Sequence, residues 1–279
     1  MKSRLIIILS VFIFLHYDGA SQQVSTMSFN IRYDNPADGI NQWSERKEDV
    51  VRIISEYDPG FIGIQEGLVN QLKYIDNSLD DYTYIGVGRD DGKQKGEYTA
   101  IFYDTSKFSL VNHGTFWLSK TPPKVSIGWD ASMERICTHG HFIDRVTGKN
   151  VYIFNTHFDH IGSKARKNSA RLILREIERL GIMDSCLVVM GDLNCEPQDK
   201  PIRILSQSLE IPLLFNHEFP KGPWGTYNGF NGDIIPTKRI DYIFSKNLDL
   251  VQYLHVNAKG ISGLCVSDHL PVFAVYRFK

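Results

Sequence analysis

Short apolar runs that stop abruptly on a polar side chain recur along this chain, and they set out its strands. Leu187-Val188-Val189-Met190 runs into Gly191-Asp192-Leu193-Asn194, which reads as an interior strand whose exit places Asp192 and Asn194 on one face, because extended-chain side chains two apart point the same way. The same grammar predicts strands from Val151 to His157, from Phe61 to Glu66 and from Ser25 to Asn30, just before Arg32. Two more follow: Arg239 to Phe244, carrying Asp241 at its start, and Val272 to Tyr276, preceded by Ser267-Asp268-His269-Leu270-Pro271. Helical spacing appears at Ser44 to Tyr57, with Ser44 as the expected cap, and at Gly162 to Leu180, with Ser163 as cap and Gly181 as stop. Between Tyr82 and His141 the pattern is of strands separated by turn-rich stretches such as Asp90-Asp91-Gly92. Helices between early strands and meander-like pairs in the middle predict an α/β sandwich of two sheets with outer helices.

The strand ends carry the chemistry. Asp192 with Asn194 can orient a water and contact a transferring phosphoryl oxygen or a hard metal ion. Asp268 and His269 can divide the work of holding a metal and donating to phosphate. Taken singly, each such residue has a structural reading, an Asx-turn at a strand end being the commonest. Six strand ends bearing Asn30, Glu66, His157, Asp192/Asn194, Asp241 and Asp268/His269 read instead as one site.

In this order the motifs resemble the endonuclease/exonuclease/phosphatase superfamily of metal-dependent phosphoesterases, from about Ser25 to the C-terminus. The resemblance implies a DNase I-like four-layer sandwich, two packed mixed β-sheets flanked by helices, in one catalytic domain spanning 22–279. It implies that Asn30 and Glu66, helped by Asp268, hold Mg²⁺ or Mn²⁺ through oxygen ligands. Asp192 then orients and deprotonates the attacking water beside Asn194, while His157 and His269 stabilise charge on phosphate oxygens. Asp241 resembles the acid that supports the first His, and Glu97 more loosely resembles a supporting acid of some branches. The pattern Trp129-Asp130…Arg135-Ile136 followed by Asn155-Thr156-His157-Phe158-Asp159-His160 is similar to an often exported bacterial group within the deadenylase-like branch, some of whose relatives act as sugar-phosphate phosphatases.

At 279 residues, 42% hydrophobic and 23% charged, the chain is long enough for one large core. Its start reads as a secretory signal at 1–21: Lys2 and Arg4, an apolar stretch from Leu5 to Leu15, then small residues around Gly19-Ala20-Ser21. That stretch is short for a membrane span, so an exported protein without stable membrane association is expected. Losing Lys2, Arg4 and Asp18 from 31 basic and 32 acidic residues leaves 29 against 31, a net charge of −2. A dedicated nucleic-acid binder is strongly basic. Cys137, Cys186, Cys195 and Cys265 are spaced far apart beside apolar positions and are expected as buried free thiols.

Substrate choice is less legible. Trp129 and Arg135 either wall the leaving group or belong to a packed surface loop. Asp159 and His160, with Lys164, Arg166 and Lys167 beyond, either contact a phosphorylated or sugar-like group or form a solvated basic face. Trp224, Tyr227 and Phe230 either stack on a ring or pin down a long loop. The near-neutral charge favours a phosphomonoester or small phosphodiester over nucleic acid, with a secreted endo- or exonuclease as the alternative. A non-catalytic binding protein on the same scaffold is the third reading.

Overall fold

Burial follows the sequence pattern strand by strand in the computed structural model, which describes residues 23–211 and 221–279; the expected signal lies outside the described residues. The first strand, β1 (Gln23–Asn30), enters the core at once and is followed by helix α1 (Trp43–Tyr57) and strand β2 (Phe61–Gln65). Because a helix intervenes, β2 returns parallel to β1, the usual outcome of such a crossover. The same unit occurs again as β7 (Asn150–His157), α3 (Ser163–Arg179) and β8 (Leu187–Asp192). Helix α2 (Val69–Ser78) and strands β3 (Tyr82–Ile85), β4 (Thr99–Asp104), β5 (Phe108–Trp117) and β6 (Ile136–Asp144) lie between the two units. After them come α4 (Lys200–Leu205), β9 (Asp241–Lys246), β10 (Leu248–His255) and β11 (Val272–Phe278).

The strands form two mixed sheets, one ordered β10-β11-β1-β2-β4-β3 and the other β5-β6-β7-β8-β9. Phe61, Ile101, Phe142, Ile153, Val188 and Ile243 are buried between them. A second cluster, including Ile53, Leu72 and Phe102, joins the first sheet to α1 and α2. A third, including Ile173, Ile177, Val189 and Leu205, joins the other sheet to α3 and α4. These are the four layers expected from the sequence. No helix among the described residues is long and apolar enough to cross a membrane.

Buried polar links cross the space between the sheets, and the one with the most hydrogen bonds centres on Asn155. Asn155 on β7 donates through Nδ2 to the carbonyls of Ile64 and Ala100, both at 2.8 Å, and accepts from Gln65 Nε2 at 2.7 Å. Gly63 makes the approach possible, since a Cβ there would sit 2.8 Å from the Asn155 carboxamide.

Two helix starts differ from expectation. Helix α1 begins at Trp43, whose buried ring meets Tyr74 edge-on, so Ser44 lies inside the helix and Gln42 takes the cap position. Helix α3 begins at Ser163 itself, and its free N–H groups are met from a distance: Asp130 accepts from Ala165 N at 2.6 Å and Lys164 N at 3.1 Å. All four cysteines are free; Cys137, Cys195 and Cys265 are buried and Cys186 is half-buried.

Candidate active site

Strand register brings the site together. Asn30 pairs with Gln65, so the exits of β1 and β2 put Asn30 and Glu66 side by side at one edge of the first sheet. In the other sheet His157, Asp192 and Asp241 stand in one row across β7, β8 and β9. Only glycine fits at position 191, where a Cβ would lie 1.9 Å from the Thr156 carbonyl and φ is +148°. Arg32, Glu66 and Asn194, just beyond their strands, hold φ of 58°, 63° and 47°, a conformation costly for residues with a Cβ. Buried Arg46 from α1 steadies two of the segments by donating to the carbonyls of Ile31 at 2.9 Å and Val266 at 2.8 Å.

At the centre, Asn30 Nδ2 donates to Glu66 Oε1 at 3.0 Å and to Asp192 Oδ2 at 3.1 Å. Asp192 Oδ2 is 3.4 Å from His157 Nε2 and 3.8 Å from His269 Nε2, and its Oδ1 accepts the Asn194 backbone N–H at 2.9 Å. The Asn194 carboxamide nitrogen sits 3.1 Å from His157 Nε2 and donates to the Phe158 carbonyl at 3.1 Å. Burial, with Asp241 nearby, pushes Asp192 up to about 7. Burial, together with Arg135 and Arg89, holds His157 well below its ordinary value, so its ring is neutral. His269 goes the other way: burial opposes its charge, but Asp241 and Asp192 together hold its proton well above the usual range.

Asp241 does not support the histidine that the resemblance implied. Asp241 Oδ2 is 2.9 Å from His269 Nδ1 and accepts from Thr226 Oγ1 at 2.6 Å; it supports the last histidine, not His157. The reason is the row of strands, in which β8 with Asp192 lies between His157 and Asp241. Asp268 accepts from Ser267 Oγ at 3.2 Å, and its charge acts on Arg32.

The cavity above these groups has a volume of about 450 Å³. Its lining takes in Glu66, Glu97, Arg135, His157, His160, Asp192, Asn194, Asp268 and His269 from the expected set, while Asn30 and Asp241 lie buried behind it. Glu97 forms a two-pronged ion pair with Arg89 at 2.7 and 2.8 Å, and burial pushes its carboxyl up to about 7 against the pull of Arg89. Arg135 is 5% exposed; its Nη2 lies 3.1 Å from His160 Nδ1, its Nε 3.5 Å from Asp159, and its Nη1 has no hydrogen-bond partner.

Trp129, Asp159 and Trp224 are not part of the cavity lining. Trp129 packs onto the core cluster under α3, buried Asp159 accepts from the Ser132 hydroxyl at 2.8 Å, and Trp224 lies against Arg239. Phe230 lies against Arg46, whereas Tyr227 lines the cavity with its ring edge-on to His269. Arg89, Met133 and Lys238 also line it and carry no sequence signal beyond their nearness to a turn, a loop and a strand start.

The chain matches the endonuclease/exonuclease/phosphatase family over residues 27–269, a span that includes every residue just described. It belongs to that family. Endonuclease/exonuclease/phosphatase proteins are metal-dependent hydrolases of phosphoesters, and the donor set here fits a hard divalent cation: a Glu66 oxygen, an Asp192 oxygen and a His157 ring nitrogen lie within 4.8 Å of one another. Among solved structures of the family, a mannosyl-6-phosphatase of Bacteroides thetaiotaomicron is 34% identical, covering 91% of this chain and 100% of its own, with a TM-score of 0.85. A family member from Bacteroides vulgatus is also 34% identical, covering 92% and 100%, with a TM-score of 0.85. An uncharacterised protein of Acanthamoeba polyphaga mimivirus is 26% identical over 262 residues, 85% of this chain and 93% of its own.

Proposed function

We propose that this chain is an exported phosphatase that releases inorganic phosphate from small sugar-phosphate-like monoesters, using Mg²⁺ or Mn²⁺. The observation that carries this reading is the size and lining of the cavity: about 450 Å³, lined by the Asp192 carboxylate, the His157 and His269 imidazoles, and Arg89, Arg135, Lys238 and Tyr227. A cavity of that volume suits a small molecule. Arginine and tyrosine suit a phosphate with a sugar ring attached. The likeness to the mannosyl-6-phosphatase supports the same choice.

Bound by Glu66 and Asp192 with Asn30 beside them, the cation would polarise the phosphoryl group and stabilise the departing oxygen. Asp192 takes a proton from the attacking water as the new oxygen–phosphorus bond forms opposite the leaving sugar oxygen, whose bond to phosphorus breaks. Asn194 holds a phosphate oxygen beside that water. The cationic His269, fixed by Asp241, and the under-satisfied Arg135 face the negative charge that builds on the non-bridging oxygens.

The test is phosphate release by the purified mature protein from hexose 6-phosphates and nucleotides, alongside nicking of plasmid DNA, with Mg²⁺, Mn²⁺ or chelator. Chelator-sensitive release from a hexose phosphate with intact plasmid is the expected result. Nicked DNA without release from small esters overturns it in favour of a nuclease. Mass spectrometry of the secreted product, expected to lack residues 1–20 or 1–21, tests export.

A further inference from the structure

Helix α3 opens with an unusual concentration of charge: Lys164, Arg166 and Lys167 fall within its first turns, and no acid does. Such a face is ordinarily solvated. Here it is folded into the wall of another cavity, of about 380 Å³, whose opposite side is the segment from Cys195 to Pro201. That segment adds a fourth cation, Lys200, and a single acid, Asp199, whose carboxylate accepts the Glu196 backbone N–H at 2.9 Å. Among the described residues, none of the four cations lies within 4.0 Å of a carboxylate. Converging like charges repel, and a concave surface with four cations against one acid focuses a positive field and concentrates anions.

The cavity backs directly onto the active site. Asn194 and His160 line the catalytic cavity, whereas Cys195, the next residue after Asn194, and Ser163, three residues after His160, line this one. Arg166 is anchored in the partition by donating through Nη1 to the Asp159 carbonyl at 3.0 Å, and the Asn194 carboxamide donates to Phe158 in the same loop. Cys195 is no nucleophile here, since burial pushes its thiol up to about 12.

We propose that this cavity is a separate binding site for a phosphate-type oxyanion, held by Lys164, Arg166, Lys167 and Lys200. The oxyanion has two sources, a second phosphate on the substrate or free inorganic phosphate, and the site recognises the same chemistry in both. Its occupancy does not depend on the reaction proposed above, so the two readings fail separately.

The experiment is calorimetric titration of inorganic phosphate into the chelator-treated protein at fixed ionic strength. The wild type is compared with the triple variant Lys164→Gln, Lys167→Gln, Lys200→Gln and with the charge-preserving Lys→Arg triple. Binding at least about tenfold weaker in the Gln triple and retained in the Arg triple is the expected result. Equal binding by all three overturns the site, as does a wild type that binds no phosphate. Melting temperatures of the variants separate lost binding from lost folding. Kinetics then assign the source. A KM raised only for a hexose bisphosphate, with the monophosphate unchanged, identifies the substrate's second phosphate; a monophosphate rate whose response to added phosphate disappears in the Gln triple identifies the free ion.

Discussion

His269 Nδ1 and Asp241 Oδ2 lie 2.9 Å apart, and that contact decides which imidazole of the site carries a charge. Asp241 is itself oriented by the Thr226 hydroxyl, which accepts the backbone N–H groups of Ile240 and Asp241 while donating to the carboxylate at 2.6 Å. Replacing Asp241 with Asn keeps the shape and removes the charge. We expect kcat to fall roughly ten- to a hundredfold with KM little changed, as for loss of an orienting acid behind a functional imidazole. Steady-state kinetics on a hexose phosphate check this.

Asp192 is the acceptor on which Asn30, His157 and His269 converge. Asp192→Asn is expected to lower kcat by at least about a hundredfold, the usual contribution of a positioned general base. It should also weaken Mg²⁺ or Mn²⁺ binding, which titration calorimetry reads independently of turnover. Activity within about tenfold of wild type would remove Asp192 from the role given to it here.

Asn155 is a polar rivet between the sheets. Asn155→Leu takes the buried side-chain donor away from the Ile64 and Ala100 carbonyls, while Gln65 Nε2 keeps the Gly63 carbonyl and the Ser28 hydroxyl as acceptors. Each abandoned carbonyl costs about 1–3 kcal/mol, so a loss of at least about 2 kcal/mol is expected from urea unfolding.

His255 titrates the fold itself. Burial and the nearby Arg239 hold it down to about 3, with Nδ1 2.7 Å from the Pro223 carbonyl. An unfolded histidine takes up its proton near 6.5, so the unfolded state binds more protons between those values. Stability contributed by the neutral ring is therefore complete above about pH 6.5 and is lost as pH falls towards 3, on the order of a few kcal/mol in all. His255→Asn keeps a donor for the carbonyl and abolishes the titration. Melting temperature against pH should fall less steeply below about pH 6 in that variant than in wild type.

The strand ends were readable because each is an apolar run closing on a polar residue, a local pattern that a buried strand imposes whatever its partners. Asn30, Glu66, His157 and Asp192 could be read this way. The pairing of Asp241 with His269 could not, because it depends on β9 lying beyond β8, and strand order is set by contacts distant in sequence. Arg89 and Lys238 come from irregular segments with no periodicity to mark them. Trp129 and Asp130 sat in a motif that looked chemical; the ring packs on the core and the carboxylate caps α3, jobs that leave the same signature in a sequence as a binding wall.

The left-handed backbone at Arg32, Glu66 and Asn194 gives the molecule a reserve of unrealised stability. Glycine at any of these positions would relax the main chain, and the relaxed protein would lose the side chain that the turn presents. Robustness and turnover therefore oppose one another at these three strand exits. Selection for heat resistance alone would be drawn to them, and would erode the enzyme as it succeeded.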